Sequence, residues 1–327
     1  MGTAGVMENR FTDSFRAFLH RASVPYEEEG PLFLFPQHAF AVLPVERDKV
    51  VPDIPFSGPE YDLLYLYEDR WYGCRAVTEA RILSRLGRFR SVFARKCRII
   101  GSKDPEASGR AGAFARFLEK YHAYGDAKSK YRYGLLYDGE LVAVATFSAS
   151  RPMVRRILEP YKNVPPEEVA SLRFATDFLP GRTAYSSRDA VMVQSYEWVR
   201  YASLPDVRVA GGMGRLLRAF LKEITQKNAL AGSRQPVEVM TYSDNEWSGG
   251  AVYEKLGFVP AGERPPVEYY VEKETYRRFS GRKLRAYYNL SQTEKIPATG
   301  MLPRSFLNRF YTISNRGSRK FLLRPGM

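Results

Sequence analysis

The sequence predicts an α+β protein. Its main part is a mixed, mostly antiparallel central sheet flanked by helices, and a smaller α/β domain precedes it. Three observations predict this. Two apolar runs, 133–137 and 141–148, are joined by Asp138-Gly139, a pair that accepts the positive φ angles of a two-residue hairpin turn. A long strand-like run, 190–203, leads to a glycine-rich turn and then a helix over 211–227, with Leu216, Leu217, Phe220, Leu221 and Ile224 on its buried face. A strand at 237–242, a helix at 248–256 and a strand at 267–272 follow.

The chain has 327 residues, 44% of them hydrophobic, enough for two domains with cores of their own. Cys74 and Cys97 supply neither a disulfide framework nor a paired-cysteine metal site. His20, His38 and His122 are scattered and lack zinc-ligand spacing, so no metal is expected. No apolar run is long enough to span a membrane, and the N-terminus does not read as a signal peptide. A reducing, cytoplasmic setting without membrane attachment is expected.

The net charge of +14 is unevenly placed. Residues 1–74 hold 6 basic and 12 acidic side chains, 75–110 hold 10 and 3, and 273–327 hold 13 and 2. Two basic segments of this kind point to a polyanion, nucleic acid being the usual one, or else to a solvated basic surface. Tyr269, Tyr270, Tyr276, Tyr287 and Tyr288 lie among the later charges, either to stack on bases or to pack internally.

In chain order, Phe11, Phe15, Phe18 and Leu19 have helical spacing. The runs 32–35 and 39–43, split by Pro36-Gln37-His38, suggest a hairpin, and 63–67 a further strand. Residues 74–86 read as a helix that Gly87 ends, and 92–100 as a basic strand. Asp104-Pro105 suits a helix start, with the helix running to about 122. Residues 154–180 are irregular or helical. Residues 276–289 read as a basic helix, and those beyond Leu290 as a loosely ordered tail. The expected domains are 1–101, 102–275, and a basic helix and tail over 276–327.

The chemistry concentrates at Val207-Arg208-Val209-Ala210-Gly211-Gly212-Met213-Gly214-Arg215. Three glycines in four residues at a strand-to-helix junction let the backbone turn tightly with its N–H groups free to face an anion. The positive end of the helix dipole points to the same place, and Arg215 can add a charge-assisted contact. A diphosphate would be held this way, although a plain tight turn has the same composition. Glu197, beside Trp198, is the candidate base: an apolar neighbour would raise its pKa, whereas an ion pair with Arg200 would leave it structural. Asp244 ends a strand, where sites gather, or caps the next helix.

The order of these pieces, closed by Tyr253-Glu254-Lys255-Leu256-Gly257-Phe258, resembles the GNAT acyltransferase superfamily over roughly 104–275. The family's cofactor turn is Gln/Arg-x-x-Gly-x-Gly/Ala. Here Val209, Gly212 and Gly214 fill the frame, and the first polar residue is missing. The resemblance implies acetyl-CoA or another acyl-CoA as cofactor, held by Val207, Val209, Gly211, Gly212, Gly214 and Arg215. It implies Tyr253 as the acid that protonates the departing thiolate, unless that ring is simply packed in the core. It also implies an oxyanion donor on the strand before the turn, within 201–209. Glu246 stands where the family often has Asn, with Asn245 one step off.

The chain also resembles bacterial and bacteriophage proteins that fuse a restriction-endonuclease-like segment to a GNAT-like domain. The matching residues include Tyr67-Glu68-Asp69-Arg70-Trp71, Arg81 to Gly87, Phe93 to Cys97, Phe117 to His122 and Gly134 to Val142. Such nucleases hold a metal with carboxylates on adjacent strands. Leu32 and Leu43 stand in those places, so the N-terminal domain is expected to be degenerate. Glu68 and Asp69 are expected to pair with arginines. The leading expectation is an N-acyltransferase acting on an amine on or near nucleic acid. The alternatives are a non-catalytic nucleic-acid-binding protein on the same scaffold and, disfavoured, a metal-dependent nuclease.

Overall fold

The computed structural model describes residues 10–47, 61–101, 104, 112–157, 176–178, 190–233, 235–293, 295–296 and 300–325. They belong to two compact units. Unit 1 draws on Met1–Arg88, Asp244–Gly249 and Arg264–Ser318, and unit 2 on Phe89–Ser243, Gly250–Glu263 and Arg319–Met327. The expected division at 101 and 275 cuts the chain elsewhere. Two cuts cannot separate units whose strands come from distant parts of the sequence.

Elements are numbered along the whole chain. Unit 1 opens with α1 (Arg10–Arg21), β1 (Glu27–Glu29), β2 (Leu32–Phe35), β3 (Phe40–Val45), β4 (Asp62–Tyr67), α2 (Glu68–Gly73) and α3 (Arg75–Arg85). The strands form a sheet in the order β1-β2-β3-β4, antiparallel except for the last pair. The expected hairpin is present: Pro36–His38 forms a 3-10 turn, closed by the Ala39 N–H on the Pro36 carbonyl. The predicted apolar stripe of α1 is buried, and Phe15 meets Trp71 edge-on at 5.5 Å. Leu32 and Leu43 are buried in one apolar cluster with Val271 and Ile313, an environment that offers a hard cation nothing.

Unit 1 also holds β15 (Glu268–Glu272), β16 (Arg278–Phe279), α7 (Gly281–Ser291), α8 (Arg304–Leu307) and β17 (Phe310–Ser314). The helix read over 276–289 therefore starts later, where the Ser280 side chain accepts the Lys283 N–H. The expected tail contains α8 and β17, followed by β18 (Ser318–Leu323) of the main sheet. Tyr270, Tyr287 and Tyr288 pack against Phe279, Leu284 and Phe306, and Tyr276 lies 5.0 Å from Tyr72, so packing accounts for these rings. Asp69 takes a bidentate contact from Arg278, which also reaches Glu246 at 2.6 Å.

Unit 2 contains β5 (Arg90–Phe93), β6 (Arg98–Gly101), α4 (Ala113–Tyr121), β7 (Tyr131–Tyr137), β8 (Glu140–Phe147), β9 (Arg151–Ile157) and β10 (Thr176–Phe178). It continues with β11 (Ala190–Ser203), β12 (Val207–Ala210), α5 (Gly212–Leu230), β13 (Val237–Asp244), α6 (Ala251–Lys255) and β14 (Val259–Arg264). The main sheet runs β14-β18-β13-β11-β8-β7-β6, with β9 and β10 joined beside β11. The β11–β13 pair is parallel, whereas the β6–β7, β7–β8, β8–β11, β9–β10 and β9–β11 pairs are antiparallel. The Asp138-Gly139 turn has φ values of 49° and 78°, as the sequence required.

Helix α5 covers one face of this sheet, where Phe147 and Phe220 stack at 4.0 Å within a cluster that also holds Tyr131, Tyr196 and Trp198. Helix α4 covers the other, with Phe114, Phe117 and Leu118 against Ile100 and Val144. Each fully buried side chain of this kind contributes about 1.5–3 kcal/mol.

The single basic strand expected at 92–100 is two strands separated by a 3-10 turn at Ala94–Lys96. β5 pairs with β12 in a separate parallel ladder while β6 pairs with β7, and one straight strand cannot serve both. The expected start of α4 after Asp104 lies outside the described residues; Asp104 itself accepts the Gly101 N–H. Of the run 154–180, only the β9 and β10 residues are described. The helix expected over 248–256 is confined to α6, because Gly250 takes φ 92° and Gly257 φ 88° at its two ends.

Candidate functional site: a glycine turn, a strand gap and a cationic cleft

Strand β11 does not run into the glycine turn. Pro205 has no N–H to give a ladder, and β11 stops at Ser203. A turn at Leu204, with the Val207 N–H on its carbonyl, then starts β12. Val207 and Val209 are buried in the core, so their side chains are not available to a cofactor, contrary to the sequence expectation; alternation along β12 turns every second residue inward.

Gly211 takes φ 75° and stands at the N-terminus of α5, where no side chain caps the helix. The first N–H groups of a helix have no acceptor within it. A Cβ on Gly211 would meet only the Ala94 Cβ, at 3.9 Å, so the turn has room in front of it. Gly212 and Gly214 are glycines for another reason. A Cβ on Gly212 would come within 3.0 Å of Val209 and 3.1 Å of the Tyr201 hydroxyl, and one on Gly214 within 3.2 Å of Leu256. These two let the helix approach its neighbours, while Gly211 shapes the turn.

Arg215 donates from Nη1 to the Ala94 carbonyl, which fixes the 3-10 turn beside the glycines. Burial pushes the Cys97 thiol up, against a smaller pull from Arg215, and pushes the Tyr201 phenol up. Between the turn and α5 lies a cleft of about 580 Å³. Its cations are Arg95, Arg215, Arg218 and Lys222.

A second feature lies in the sheet. β11 and β13 are paired only over Gln194–Glu197 and Val237–Met240. Both strands continue, to Ser203 and Asp244, and the register of β11 against β8 shifts between Trp198 and Arg200. Beyond the paired stretch the Thr241 hydroxyl donates to the Trp198 carbonyl at 3.2 Å. Where the strands part, the half-buried Tyr253 ring packs 6.1 Å from Trp198, 5.8 Å from Phe258 and 5.4 Å from Phe321. The closing segment Tyr253 to Phe258 thus sits beside the start of α5 through Leu256 and beside the strand gap through Tyr253.

Glu197 is half-buried, and its backbone exchanges hydrogen bonds with Ser148, N–H to Oγ and carbonyl to N–H, both at 2.9 Å. Trp198 does not lie on the same face of the strand. Adjacent strand residues point to opposite faces, and Trp198 belongs to the core under α5. Arg200, the other expected partner, donates to the Gly125 and Val199 carbonyls; burial lowers its pKa, and the charge of Glu197 is among those that act against this. Asp244 falls in unit 1, where its carboxylate accepts the Glu246 N–H and its carbonyl the Trp247 and Ser248 N–H groups. These bonds close a turn and do not cap the next helix, whose N-cap is Gly250, and Glu246 is buried in the ion cluster with Arg278. Sequence reading missed Arg95, Arg218 and Lys222. The helical spacing of Arg215, Arg218 and Lys222 was visible, but nothing local indicated that 93–95 would face them.

Many other arginines of the two basic segments are engaged internally. Arg85 pairs with Asp62, Arg309 with Glu272 and Arg319 with Glu263, while Arg81 lies 4.0 Å over the Trp247 ring. Among the described residues, no group of His, Cys, Asp and Glu is placed to hold a metal, and no helix is long and apolar enough to cross a membrane.

No family profile matches the chain, and neither does any curated protein. Among solved structures, an acetyltransferase of Bacillus subtilis in complex with CoA is 13% identical, with 70% of this chain and 99% of that one covered at a TM-score of 0.29. A polyamine N-acetyltransferase of Drosophila melanogaster, which forms N-acetylagmatine, is 10% identical, with 70% and 100% covered at 0.30. A bacterial toxin is 16% identical, with 40% and 59% covered at 0.24. These are loose likenesses, and the functional reading rests on the geometry of this chain.

Proposed function

We propose that unit 2 is a GNAT-class N-acyltransferase that takes acetyl-CoA or a related acyl-CoA. The parting of β11 and β13 after Glu197 and Met240, beside Tyr253, carries this reading. The diphosphate of CoA lies against the Gly211 turn and the first N–H groups of α5, with Arg215 beside it. The glycine geometry and the open space in front of Gly211 support that fit. The pantetheine arm carries two amides, and the unpaired strand edges offer them backbone partners. The thioester then reaches the gap, where a backbone N–H of β11 near the register shift faces the developing oxyanion.

Tyr253 protonates the departing thiolate. Glu197, on the opposite face of the strand from Trp198, removes the proton from the attacking amine. Unit 1 is a degenerate endonuclease-like frame that does not cleave nucleic acid, a reading supported by the burial of Leu32 and Leu43. A second reading, nucleic-acid binding without chemistry, has the cations of the cleft in its favour.

The test is a melting curve with acetyl-CoA, followed by thiol release over a panel of amines. Acetyl-CoA is expected to raise the melting temperature. Tyr253→Phe is expected to keep that shift and to lose about 100-fold in kcat, the lower range for a general acid. No shift at millimolar acetyl-CoA sinks the reading.

A further inference from the structure

The face of the main sheet opposite α5 changes character along β11. Under α4 it is apolar, with Val144 and Ala202 paired across β8 and β11. Beside the segment that follows α4 it turns polar, and the register shift between Trp198 and Arg200 is the cause. Trp198 pairs with Phe147 on the α5 face. Arg200 pairs with Thr146, which alternates with Phe147 and so faces the other way. The bulge thus turns Arg200 to the same face as Glu197.

The two side chains do not neutralise each other. Arg200 donates from Nε to the Gly125 carbonyl at 3.1 Å and from Nη1 to the Val199 carbonyl at 2.8 Å. Those bonds use only part of the five N–H groups of a guanidinium. Among the described residues, no carboxylate forms an ion pair with it. Its acidic neighbours are engaged elsewhere. Asp126 takes a bidentate contact from Arg132 at 3.0 and 2.9 Å, and Glu119 accepts the Asp126 N–H. Burial disfavours the cation, against the pull of Tyr124, Glu197, Asp126 and Glu119. Arg200 is nevertheless only half-buried, and the Tyr124 ring, 5.8 Å from its guanidinium, is 41% exposed. Two buried hydroxyls of the same face, Thr146 Oγ1 and Ser195 Oγ, have no hydrogen-bond partner among the described residues. A reachable cation without a carboxylate, beside unmet hydroxyls, suits a polar anionic guest.

Resting on the acyltransferase reading above, we infer that the acceptor is a small molecule carrying a carboxylate beside its amine, as a free amino acid does. The carboxylate takes the remaining N–H groups of Arg200, whose planar fork matches its two oxygens. The amine lies at Glu197, on the same face. The nitrogen of the neutral amine bonds to the acyl carbon as the C–S bond breaks. One amine proton passes to Glu197, and Tyr253 gives one to the sulfur. A single cation among three carboxylates selects a zwitterion. A nucleic-acid or phosphorylated acceptor would bring a larger negative charge against Glu119, Asp126 and Glu197. A polyamine would set a second cation against Arg200.

Thiol release from acetyl-CoA tests this, measured with free amino acids, the corresponding amino-acid amides, O-phosphoethanolamine and spermidine. The wild type is expected to favour amino acids over their amides roughly 10-fold or more in kcat/KM. Arg200→Gln is expected to bring that ratio near one, through the KM of the acids. Arg200→Lys, which keeps the charge but not the fork, is expected to retain part of it and serves if the glutamine variant does not fold. The melting shift with acetyl-CoA is expected to persist in the folded variants. Equal wild-type rates on acids and amides, or a ratio that survives unchanged in the variants, overturn the inference. So does a preference for O-phosphoethanolamine or spermidine. In each of those cases thiol release leaves the acyltransferase reading standing. Neither a melting shift nor thiol release with any amine removes both.

Discussion

The interiors of the two units solve different problems. Unit 2 fills the space beneath α5 with aromatic rings, Tyr131, Phe147, Tyr196, Trp198 and Phe220, and leaves Arg95, Arg218 and Lys222 of its cleft exposed. Unit 1 buries charge. Arg278 is enclosed with Asp69 and Glu246, and Arg70 lies 3.7 Å from Glu246. Removing ions from water costs several kcal/mol each, which their mutual attraction offsets only in good geometry. Unit 2 also ties a basic residue to a buried carboxylate, Arg155 to Glu238, and adds to that tie the open cations of its cleft. The net charge of the chain cannot distinguish these uses.

The largest effect that separates the two interiors is expected from Phe220→Ala. It removes the ring stacked on Phe147 and is expected to cost about 3–5 kcal/mol in urea unfolding. Arg278→Met is expected to cost roughly 3 kcal/mol, the lower end for a broken buried ion cluster. Glu246 is the reason for the lower end: burial already pushes its carboxyl up, against the pull of Arg278, so a proton can replace the lost cation.

The sign follows from linkage. A carboxyl with a raised folded pKa binds its proton at higher pH than in the unfolded chain. Its contribution therefore grows as pH falls through the folded value and levels off below the ordinary 4.5. The deficit of Arg278→Met is expected to shrink in that direction, whereas that of Phe220→Ala stays flat. A pH-independent deficit for Arg278→Met would break the comparison.

The smallest effect belongs to the surface of unit 1. The Arg16 guanidinium, 2.9 Å from Glu28, holds that carboxyl below its usual range. This contribution is present above the unfolded value and lost as pH falls through the lower folded one. With both side chains partly exposed, Glu28→Gln is expected to cost about 0.2–1 kcal/mol at pH 7, and less at high salt. A loss as large as that of Arg278→Met would mean that exposed and buried pairs here do not differ.

Much of the fold was legible because its signals are local. Asp138-Gly139 specified a hairpin through its own φ preferences, and the Leu216-Leu217-Phe220-Ile224 spacing specified α5 and its buried face. The site was legible only in part. The glycine turn announced itself, but Gly211 shapes the turn while Gly212 and Gly214 serve close packing, a distinction that needs the neighbouring atoms. Trp198 looked like a neighbour of the Glu197 side chain, and strand alternation turns it to the other face. Phe321-Leu322-Leu323 looked like part of a tail, because its partners β13 and β14 lie more than fifty residues earlier in the chain.

By itself, then, the sequence determined the hairpins, the helices and their apolar faces, and a strand–glycine–helix turn suited to an anion. Those follow from backbone preferences and periodicity within a few residues. The tertiary structure alone decided that β18 completes the main sheet, that 94–96 breaks a basic strand to wall the cleft, and that Arg278 is buried while Arg218 is not. Such outcomes depend on which distant surfaces meet, and burial and pairing are properties of that meeting rather than of any residue alone.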